Sequence, residues 1–501
     1  MTTDLLAYGI GGVVVWLVAL RLRSVAARQW LYLIASWLFY FSWGSWLIVI
    51  LLFSSLMNYG LGEWLRKKTS AGRLWVGILF NLVLLSTFKY LPLLGAAASS
   101  NSPWAALKRM VFPIGISFWT FQALSYLFEI YREEDLDPTL REFCLFLAFW
   151  PTVLQGPICR MSSMLPQFRQ EWSVNQDDLK TGVRRMAIGA LMLFLAGVMS
   201  GGLYAGAGID AAFNGPARDF GGLDVWCLII GYGFQLYFSF CGFCHVVIGA
   251  ARLFGIQVQE NFNRPYLSTT PSEFWTRWHM SLSFWIRDFL FLPLATMRRE
   301  VWWRNLSLVI AMLAFGVWHI NAGEEGGGYL YMMWGVYHGL LLVLHRQWQA
   351  FRKRLGFEWS GVVATAISWA VTFSAVCVGY IFFRANNMRQ AFAMLKAIAS
   401  PSTYGHLTLD HSLYFMTFLA AAGYFAVIGA AELLDRLGDS ARGWVQRATS
   451  RMEVRLATLV AALADERWVW ITPAVLVLAL YLSVIFQPGR AETGPVMYAL
   501  F

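Results

Sequence analysis

The sequence predicts an all-α polytopic membrane protein. Of its 501 residues, 58% are hydrophobic and 14% are charged, which leaves too few polar side chains to cover a soluble fold. Several uninterrupted apolar runs reach the roughly 20 residues that a helix needs to cross a bilayer. Lys and Arg cluster in short segments between those runs, as they do in cytoplasmic loops. We therefore expect roughly a dozen helices that cross or dip into the membrane.

Each apolar run predicts one membrane segment. The runs lie near residues 4–20, 30–43, 44–62, 74–94, 110–130, 139–155, 183–205, 223–251, 305–320, 328–345, 361–383, 412–434 and 469–486. The first run begins almost at Met1, without a basic leader or a cleavage site. This pattern favours a retained helix over a removable signal peptide.

Basic side chains predict the orientation in the membrane. Two clusters fall on the same expected side, namely Arg21, Arg23 and Arg28, then Arg66, Lys67, Lys68 and Arg73. Positive residues remain on the cytoplasmic side, so the N-terminus is expected outside the cytoplasm. The net charge of +10 is accordingly expected to meet anionic lipid head groups, and no nucleic-acid partner is expected.

Some stretches depart from plain helices. Residues 149–160, FWPTVLQGPICR, contain two prolines and a glycine, which predicts a broken or re-entrant segment held against protein or a water-filled cavity. Residues 161–185 predict one amphipathic helix at the interface, and residues 436–468 an amphipathic, Arg-rich segment on the cytoplasmic surface. Residues 95–103 predict a loop exposed to solvent. Asn58 is interpreted as a hydrogen bonder between packed helices.

Residues 110–132 place polar side chains among aromatic ones. Pro113 and Gly115 are expected to break the helix near its start. Polar residues then recur at spacings close to helical turns, at Ser117, Gln122, Ser125 and Glu129. Such a face lines either a cavity or a helix contact.

Cysteine spacing does not predict a metal site. The six cysteines mostly lie within apolar runs, at Cys144, Cys159, Cys227, Cys241, Cys244 and Cys377. Cys241 and Cys244 form one C-x-x-C pair with His245 adjacent, which resembles zinc ligands. No second ligand pair follows, and a buried cysteine is an ordinary small core residue.

Three of the seven histidines lie in a tryptophan-rich apolar stretch that runs from Pro271 to His338. They are His279, His319 and His338. A buried imidazole is costly unless something hydrogen-bonds it or uses it. On a continuous helix, positions 275, 278, 282, 285 and 289 would form an apolar face with His279 at its border. Taken alone, that part favours an interfacial helix anchored by Trp and Arg.

His319 changes this interpretation, because it ends the apolar run LSLVIAMLAFGVW with no acidic residue nearby in the sequence. Two histidines flanking one helix, in a chain with no soluble active site, suggest a general base embedded in the membrane. No G-x-S-x-G elbow, P-loop or H-E-x-x-H motif competes with it. We expect His338, in GVYHG, to pack behind the reactive groups.

Taken in order, several segments resemble the bacterial membrane-bound O-acyltransferases. They are PIGISFWTFQALSYLFEIYR, GPICR, YFSFCGF, ENFNRPYLS, EFWTRWHMSLSFWIRDFLFLP, RNLSLVIAMLAFGVWH, WGVYHG and IFFRANN. Within that family the chain is similar to the branches that acetylate alginate and that transfer D-alanine to teichoic acids. The resemblance covers about residues 30–390.

The resemblance implies a ring of roughly a dozen transmembrane or re-entrant helices around a thinned catalytic centre. It also implies that His319 deprotonates an acceptor hydroxyl while His279 orients a reactant or stabilises the oxyanion. Other residues expected to bind substrate or to support this pair are Trp278, Ser281, Arg287, Asp288, Asn305, Trp318, His338 and Asn261. No bound cofactor and no metal are expected, because the acyl group arrives on a thioester, either acetyl-CoA or an acyl carrier protein.

Three regions are expected from the resemblance: N-terminal transmembrane helices at 1–109, the O-acyltransferase core at 110–390, and C-terminal helices with an amphipathic cytoplasmic segment at 391–501. Two features depart from the family pattern. Bacterial relatives usually read WHG where this chain reads WHIN, which puts Ile320 in place of glycine. Relatives also often have aspartate and serine in the segment that here carries Ser239, Cys241, Cys244 and His245. Either the acceptor or partner differs, or that segment is structural.

The resulting hypothesis is a multi-pass O-acyltransferase of the bacterial cytoplasmic (inner) membrane. It would move a short acyl group, acetyl in the first instance, from a cytoplasmic thioester to an extracytoplasmic polysaccharide or a periplasmic partner that completes the transfer. One alternative is D-alanyl or longer acyl transfer from a carrier protein. A different kind of alternative is a transporter whose histidines relay protons, but intramembrane Asp and Glu are scarce and no inverted repeat is visible.

Overall fold

A computed structural model describes residues 2–44, 46–97, 102, 104, 107, 112–171, 176–204, 207–214, 220–320 and 328–436. Every regular element within these ranges is helical. The predicted all-α class is therefore confirmed for the described part of the chain. The predicted span 469–486 and nearly all of the predicted segment 436–468 lie outside the described residues.

The described residues in the first half of the chain form nine α-helices. They are α1 Thr2–Arg21, α2 Val25–Trp43, α3 Leu47–Lys67, α4 Ala71–Lys89, α5 Leu91–Ala97, α6 Ile116–Tyr131, α7 Leu140–Ala148, α8 Met161–Arg169 and α9 Gln176–Gly201.

The part of the second half that the structure describes adds ten α-helices. They are α10 Ile209–Asn214, α11 Gly222–Leu253, α12 Pro271–Arg277, α13 Met280–Ile286, α14 Leu292–Thr296, α15 Val301–His319, α16 Gly328–Leu355, α17 Val362–Arg384, α18 Met388–Ala399 and α19 His411–Arg436. A π-helical turn, Arg287–Phe291, joins α13 to α14, and short 3₁₀ turns occupy Pro265–Leu267 and Pro401–Thr403.

Seven of the described helices are long and apolar enough to cross a bilayer, which makes the chain a multi-pass membrane protein. These spans are Leu47–Lys67, Ala71–Gly95, Gln176–Gly201, Gly222–Leu253, Val301–His319, Val362–Arg384 and His411–Ala430. Other predicted runs form helices that are too short for this class, such as α6 with 16 residues and α7 with nine. The arrangement of a dozen helices in a ring stays a prediction.

The irregular segments follow local chemistry. α6 begins at Ile116 rather than near residue 110, because Gly115 before it adopts a left-handed φ of +82°. α7 stops at Ala148 and irregular backbone follows as far as Arg160, which confirms the predicted break in this run. The prediction of one amphipathic helix over 161–185 was wrong. That stretch contains α8 and the start of α9, and α8 is a separate nine-residue helix.

The chain divides into two compact units. The smaller one comprises residues 2–14, 186–242 and 396–436 of the described chain. Within it Asp224, which is fully buried, accepts hydrogen bonds from the backbone of Gly221 at 2.9 Å, from Thr408 Oγ1 at 2.8 Å and from the Tyr414 hydroxyl. These bonds satisfy the carboxylate and tie the start of α11 to the segment before α19, so Asp224 has a structural role.

The larger unit comprises residues 15–185 and 243–395, with the gaps given above, and contains most of the predicted core region. In it α3 and α4 pack together and against α6. Asn58 of α3 and Asn81 of α4 are both fully buried, and their amides exchange hydrogen bonds of 3.1 and 2.6 Å. The interpretation of Asn58 as a contact between helices is confirmed.

We expect Asn58→Leu to lower stability by about 1 kcal/mol, because it leaves the buried amide of Asn81 without its partner. The double variant Asn58→Leu, Asn81→Leu removes both polar groups and is expected to recover part of the loss. Thermal unfolding of the purified protein in detergent, monitored by size exclusion, would measure both. A double variant as unstable as the sum of the single ones would contradict the pairing.

Candidate functional site

His279 lies at a break between two short helices. α12 begins with an N-cap at Thr270, whose hydroxyl accepts from Glu273 N at 3.1 Å, and ends at Arg277. Trp278 is then extended and His279 adopts a left-handed φ of +44° before α13 starts. That conformation is unfavourable for a residue with a side chain, by about 1–2 kcal/mol. Residues held in such conformations cluster at functional sites.

Asn261 holds this break in place. Its backbone carbonyl accepts from Met280 N at 2.9 Å, and its side-chain Oδ1 accepts from Ser281 N at 3.0 Å. Asn261 is fully buried, and its Nδ2 donates to Cys244 Sγ at 3.4 Å. One asparagine thereby satisfies the first amides of α13, which have no partner within the helix.

The continuous helix expected through positions 275–289 was wrong. The apolar face divides between α12 and α13, and Trp278 and His279 lie in the turn, 6% and 3% exposed. Such burial does not fit an anchor whose side chains reach the head groups. The stretch is part of the protein interior.

His319 is the last residue of α15 and is 8% exposed. Aromatic rings surround it, at centroid distances of 4.8 Å for Trp318, 5.2 Å for Phe315, 5.4 Å for Trp334, 5.0 Å for Phe383 and 6.0 Å for Tyr331. Apolar walls exclude water, which strengthens any electrostatic interaction that the imidazole makes.

The structure brings His279 and His319 together. The His279 ring lies 6.3 Å from Phe315 and 6.3 Å from Trp318, the same two rings that contact His319. Residues separated by 40 positions in the chain therefore form one buried pair of groups able to accept or donate a proton.

Lys89 joins this site, although the sequence reasoning did not single it out. It is 3% exposed, its Nζ donates to the carbonyl of Trp318, and it lies 5.0 Å from the Trp318 ring. The neighbouring Tyr90 hydroxyl donates to Val317 O at 3.0 Å. A cation is favourable at the carbonyl end of a helix. A lysine within the apolar run 74–94 was the signal that could have identified it.

His338 lies one aromatic layer behind His319. The Trp334 ring lies between them, 5.4 Å from His319 and 5.1 Å from His338. A Cβ at Gly379 would lie 2.6 Å from His338 Nε2, so the glycine permits close approach of α17. His338 is therefore placed to support the aromatic rings around His319, which are called its aromatic wall below.

The remaining predicted residues separate into near and distant ones. Trp278 stacks on Phe274 at 5.6 Å, and Ser281 Oγ accepts from Ile158 N at 3.1 Å, both beside His279. Asn305 lies 14 residues before His319 on α15, which is about 21 Å along the helix, so the structure does not bring it to the pair.

Arg287 and Asp288 belong to a charged cluster at the end of α6. Asp288 pairs with Arg160 at 2.5 Å and with Arg287 at 2.7 Å, while Arg132 donates to its backbone carbonyl at 2.8 Å. Arg132 follows α6 directly, and the Arg287 side chain is 52% exposed. The cluster thus lies at a surface of the unit, away from the buried histidines.

Aromatic side chains connect that cluster with the histidine pair. α6 and residues 285–289 run in the same direction, since Phe121 contacts Trp285 at 4.4 Å and Phe128 stacks on Phe289 at 4.8 Å. Trp318 contacts Phe121 at 5.5 Å. α6 therefore extends from the charged cluster to the aromatic wall of His319.

The C-x-x-C segment has no metal-binding arrangement among the described residues. All six cysteines are buried thiols. Cys244 meets the amide of Asn261, whereas His245 Nδ1 lies 3.2 Å from an Arg185 nitrogen. A cation beside the imidazole is unfavourable for a ligand that must hold another cation.

Comparison with known proteins decides the family. A sequence model of MBOAT, the membrane-bound O-acyltransferase family, matches residues 61–384, which include both central histidines. The chain belongs to this family. It is accordingly an O-acyltransferase, and the resemblance drawn from its motifs is confirmed.

Proteins similar to this acyltransferase carry several names. The chain is 31% identical to the probable alginate O-acetylase AlgI of Pseudomonas putida, over 95% of its own length and 94% of the relative's. It is 29% identical to the peptidoglycan O-acetyltransferase of Helicobacter pylori, over 74% and 73%. It is also 29% identical to the teichoic acid D-alanyltransferase of Bacillus subtilis, over 67% and 82%. Those names differ in acyl group and in acceptor.

Proposed function

We propose that this acyltransferase moves a short acyl group, acetyl in the first instance, from a cytoplasmic thioester to an extracytoplasmic polysaccharide or to a partner protein that completes the transfer. The observation that carries the proposal is the buried pair His279 and His319 inside one aromatic enclosure. We place the enzyme in the bacterial cytoplasmic membrane, with a ring of helices around a thinned centre.

His319 acts as the general base in this proposal. It takes the proton of an acceptor hydroxyl while the oxygen attacks the thioester carbonyl. The tetrahedral oxyanion then collapses, the carbon–sulfur bond breaks, and the leaving thiolate takes the proton from the imidazolium. His279 orients a reactant or donates to the oxyanion. The steps balance without a covalent enzyme intermediate and without a resident cofactor.

Charge distribution supports the proposed sides for donor and acceptor. Arg66 and Lys67 end α3, and Arg66 NH1 donates to Leu136 O at 3.0 Å, which places the segment after α6 on the same side as this basic cluster. By the positive-inside rule that side is cytoplasmic. The end of α15 meets Lys89 at the opposite end of α4, so His319 lies toward the side proposed for the acceptor.

The acyl group has one alternative of the same class. D-alanyl transfer from a carrier protein is favoured by the name of the Bacillus subtilis relative, and acetyl transfer by the other two names. The transporter alternative is no longer supported, because the chain belongs to an acyltransferase family.

Label transfer tests the proposal. Purified protein in liposomes that contain membrane extract would receive radiolabelled acetyl-CoA or an acyl-loaded carrier protein in parallel, with His279→Ala, His319→Ala as the blank. Label that reaches a glycan or a protein only with the wild type supports the proposal and identifies the donor. Equal label transfer by the blank, or flux across the liposome membrane that needs no acceptor, would overturn the proposal.

A further inference from the structure

Gln155 carries the least explained polar group near the histidine pair. It belongs to the irregular segment 149–160, in which residues 151–159 are all buried. The residue is 3% exposed, and neither its side-chain oxygen nor its nitrogen meets a hydrogen-bond partner among the described residues. A buried amide with both ends unsatisfied is unfavourable and rare in native proteins. Such a group is typical of a site that a ligand completes.

The segment is held on both sides of Gln155. A Cβ at Gly115 would overlap the carbonyl oxygen of Val153, so this part lies directly against the start of α6. Ile158 N donates to Ser281 Oγ at 3.1 Å, two residues beyond His279. Gln155 and Ile158 are three positions apart, which limits their Cα distance to about 11 Å. Gln155 therefore lies between α6 and the turn that carries His279.

α6 also carries buried polar atoms that are unsatisfied. Ser117 Oγ, Thr120 Oγ1 and Gln122 Oε1 are buried and meet no hydrogen-bond partner among the described residues. Their neighbour Phe121 contacts both Trp285 and Trp318. Unsatisfied polar atoms thus occur on more than one face of α6, the helix that extends from the charged cluster to the aromatic wall of His319.

The segment returns to the side on which it started. It follows α7, whose first turn holds Glu142, and Arg169 at the end of α8 pairs with Glu142 at 2.9 Å. Arg160 meanwhile joins Asp288 and Arg132 in the charged cluster. Gln155 is consequently near the inner end of a segment that enters from, and goes back to, the side proposed for the donor.

A primary amide offers a donor and an acceptor side by side, and a ligand that offers the same pair in reverse satisfies both. The pantetheine arm of thioester donors contains two secondary amides, and CoA and carrier proteins share it. In a trans amide the N–H and the C=O point in opposite directions, so the N–H of one amide and the C=O of the other would supply the pair. We propose that the Gln155 side chain pairs with the two amides of the pantetheine arm and positions the thioester beside His279 and His319. This inference rests on the thioester donor of the proposed function.

Binding and kinetics test it together. The probes are CoA, 4′-phosphopantetheine, and an acyl carrier protein with and without its pantetheine group, titrated into wild type, Gln155→Leu and Gln155→Asn in nanodiscs. We expect Gln155→Leu to weaken binding of pantetheine probes about 10-fold, and to raise the KM of the donor by a similar factor with kcat within about twofold. Gln155→Asn should recover part of the affinity.

Gln29 provides the matched control. It is equally buried at 3% exposed, but its Nε2 donates to Glu142 Oε1 at 3.2 Å and to Phe168 O at 3.0 Å. Gln29→Leu should therefore lower thermal stability and leave affinity unchanged for the folded fraction. Gln155→Leu should show the reverse, because no bond within the protein is lost.

The outcomes separate this inference from the proposed function. Weaker binding of the pantetheine probes by Gln155→Leu supports the inference, and the probe that the wild type binds more tightly, CoA or the loaded carrier protein, identifies the source of the arm. Wild type and Gln155→Leu binding alike, or Gln155→Leu as unstable as Gln29→Leu with an unchanged KM, would overturn the inference alone. No pantetheine probe binding to the wild type would overturn the thioester donor as well.

Discussion

Replacing His319 by alanine is expected to lower the rate of acyl transfer by about 1,000-fold, because it removes the group proposed to take the acceptor proton. The side chain lies among aromatic rings at the last residue of α15, and alanine there keeps the backbone hydrogen bonds of the helix. The variant should therefore fold and bind donor as the wild type does. Single-turnover transfer of labelled acyl groups, with thermal stability measured on the same preparation, would check both expectations.

Two further histidine variants test whether the large effect is specific to His319. His279→Ala should lower the rate by about 100-fold, since it removes a group that orients a reactant or donates to the oxyanion. His338→Ala should reduce the rate less than tenfold per folded molecule, because Trp334 separates it from His319. A His319→Ala enzyme as fast as the wild type would show that the base lies elsewhere and would refute the mechanism.

The second large effect concerns the contact between α15 and α16. A Cβ at Gly316 would overlap the carbonyl oxygen of Tyr331, and one at Gly335 would overlap that of Met312. Small residues let membrane helices approach until their backbones touch. Gly316→Leu is expected to cost about 3 kcal/mol of stability, because neither backbone can move aside as a side chain could.

Gly316→Leu should also displace His319, which lies one turn further along α15. The temperature of thermal inactivation and the transfer activity would both fall, whereas His319→Ala is expected to lower the activity alone. Gly60→Leu is the control, because a Cβ at Gly60 on α3 meets nothing within 4 Å. Equal stability of the two leucine variants would contradict the close contact.

Composition and motif order predicted the class of protein and the chemistry. The apolar runs required helices in a membrane, and the WHMSLSFWIRD segment with the later Trp318 and His319 pair indicated the acyltransferase family. Both predictions depend on which residues are present and in what order. Neither needs knowledge of how the chain folds back on itself.

Predictions that assumed regular helices were wrong where distant residues intervene. His279 was expected on a continuous helix, but Asn261, 18 positions earlier, provides the bonds that stabilise a break there. Asn305 was grouped with the site because it shares a motif with His319, yet the rise of α15 carries it about 21 Å away. Local periodicity carries no information on such contacts.

By itself, then, the sequence determined that this is a membrane acyltransferase, since hydropathy and residue type are properties of single positions. Only the tertiary structure decided that His279 and His319 share one aromatic enclosure and that Lys89 caps α15. It alone showed that Gln155 is buried without a protein partner among the described residues. These are properties of pairs of residues far apart in the chain, and packing creates them.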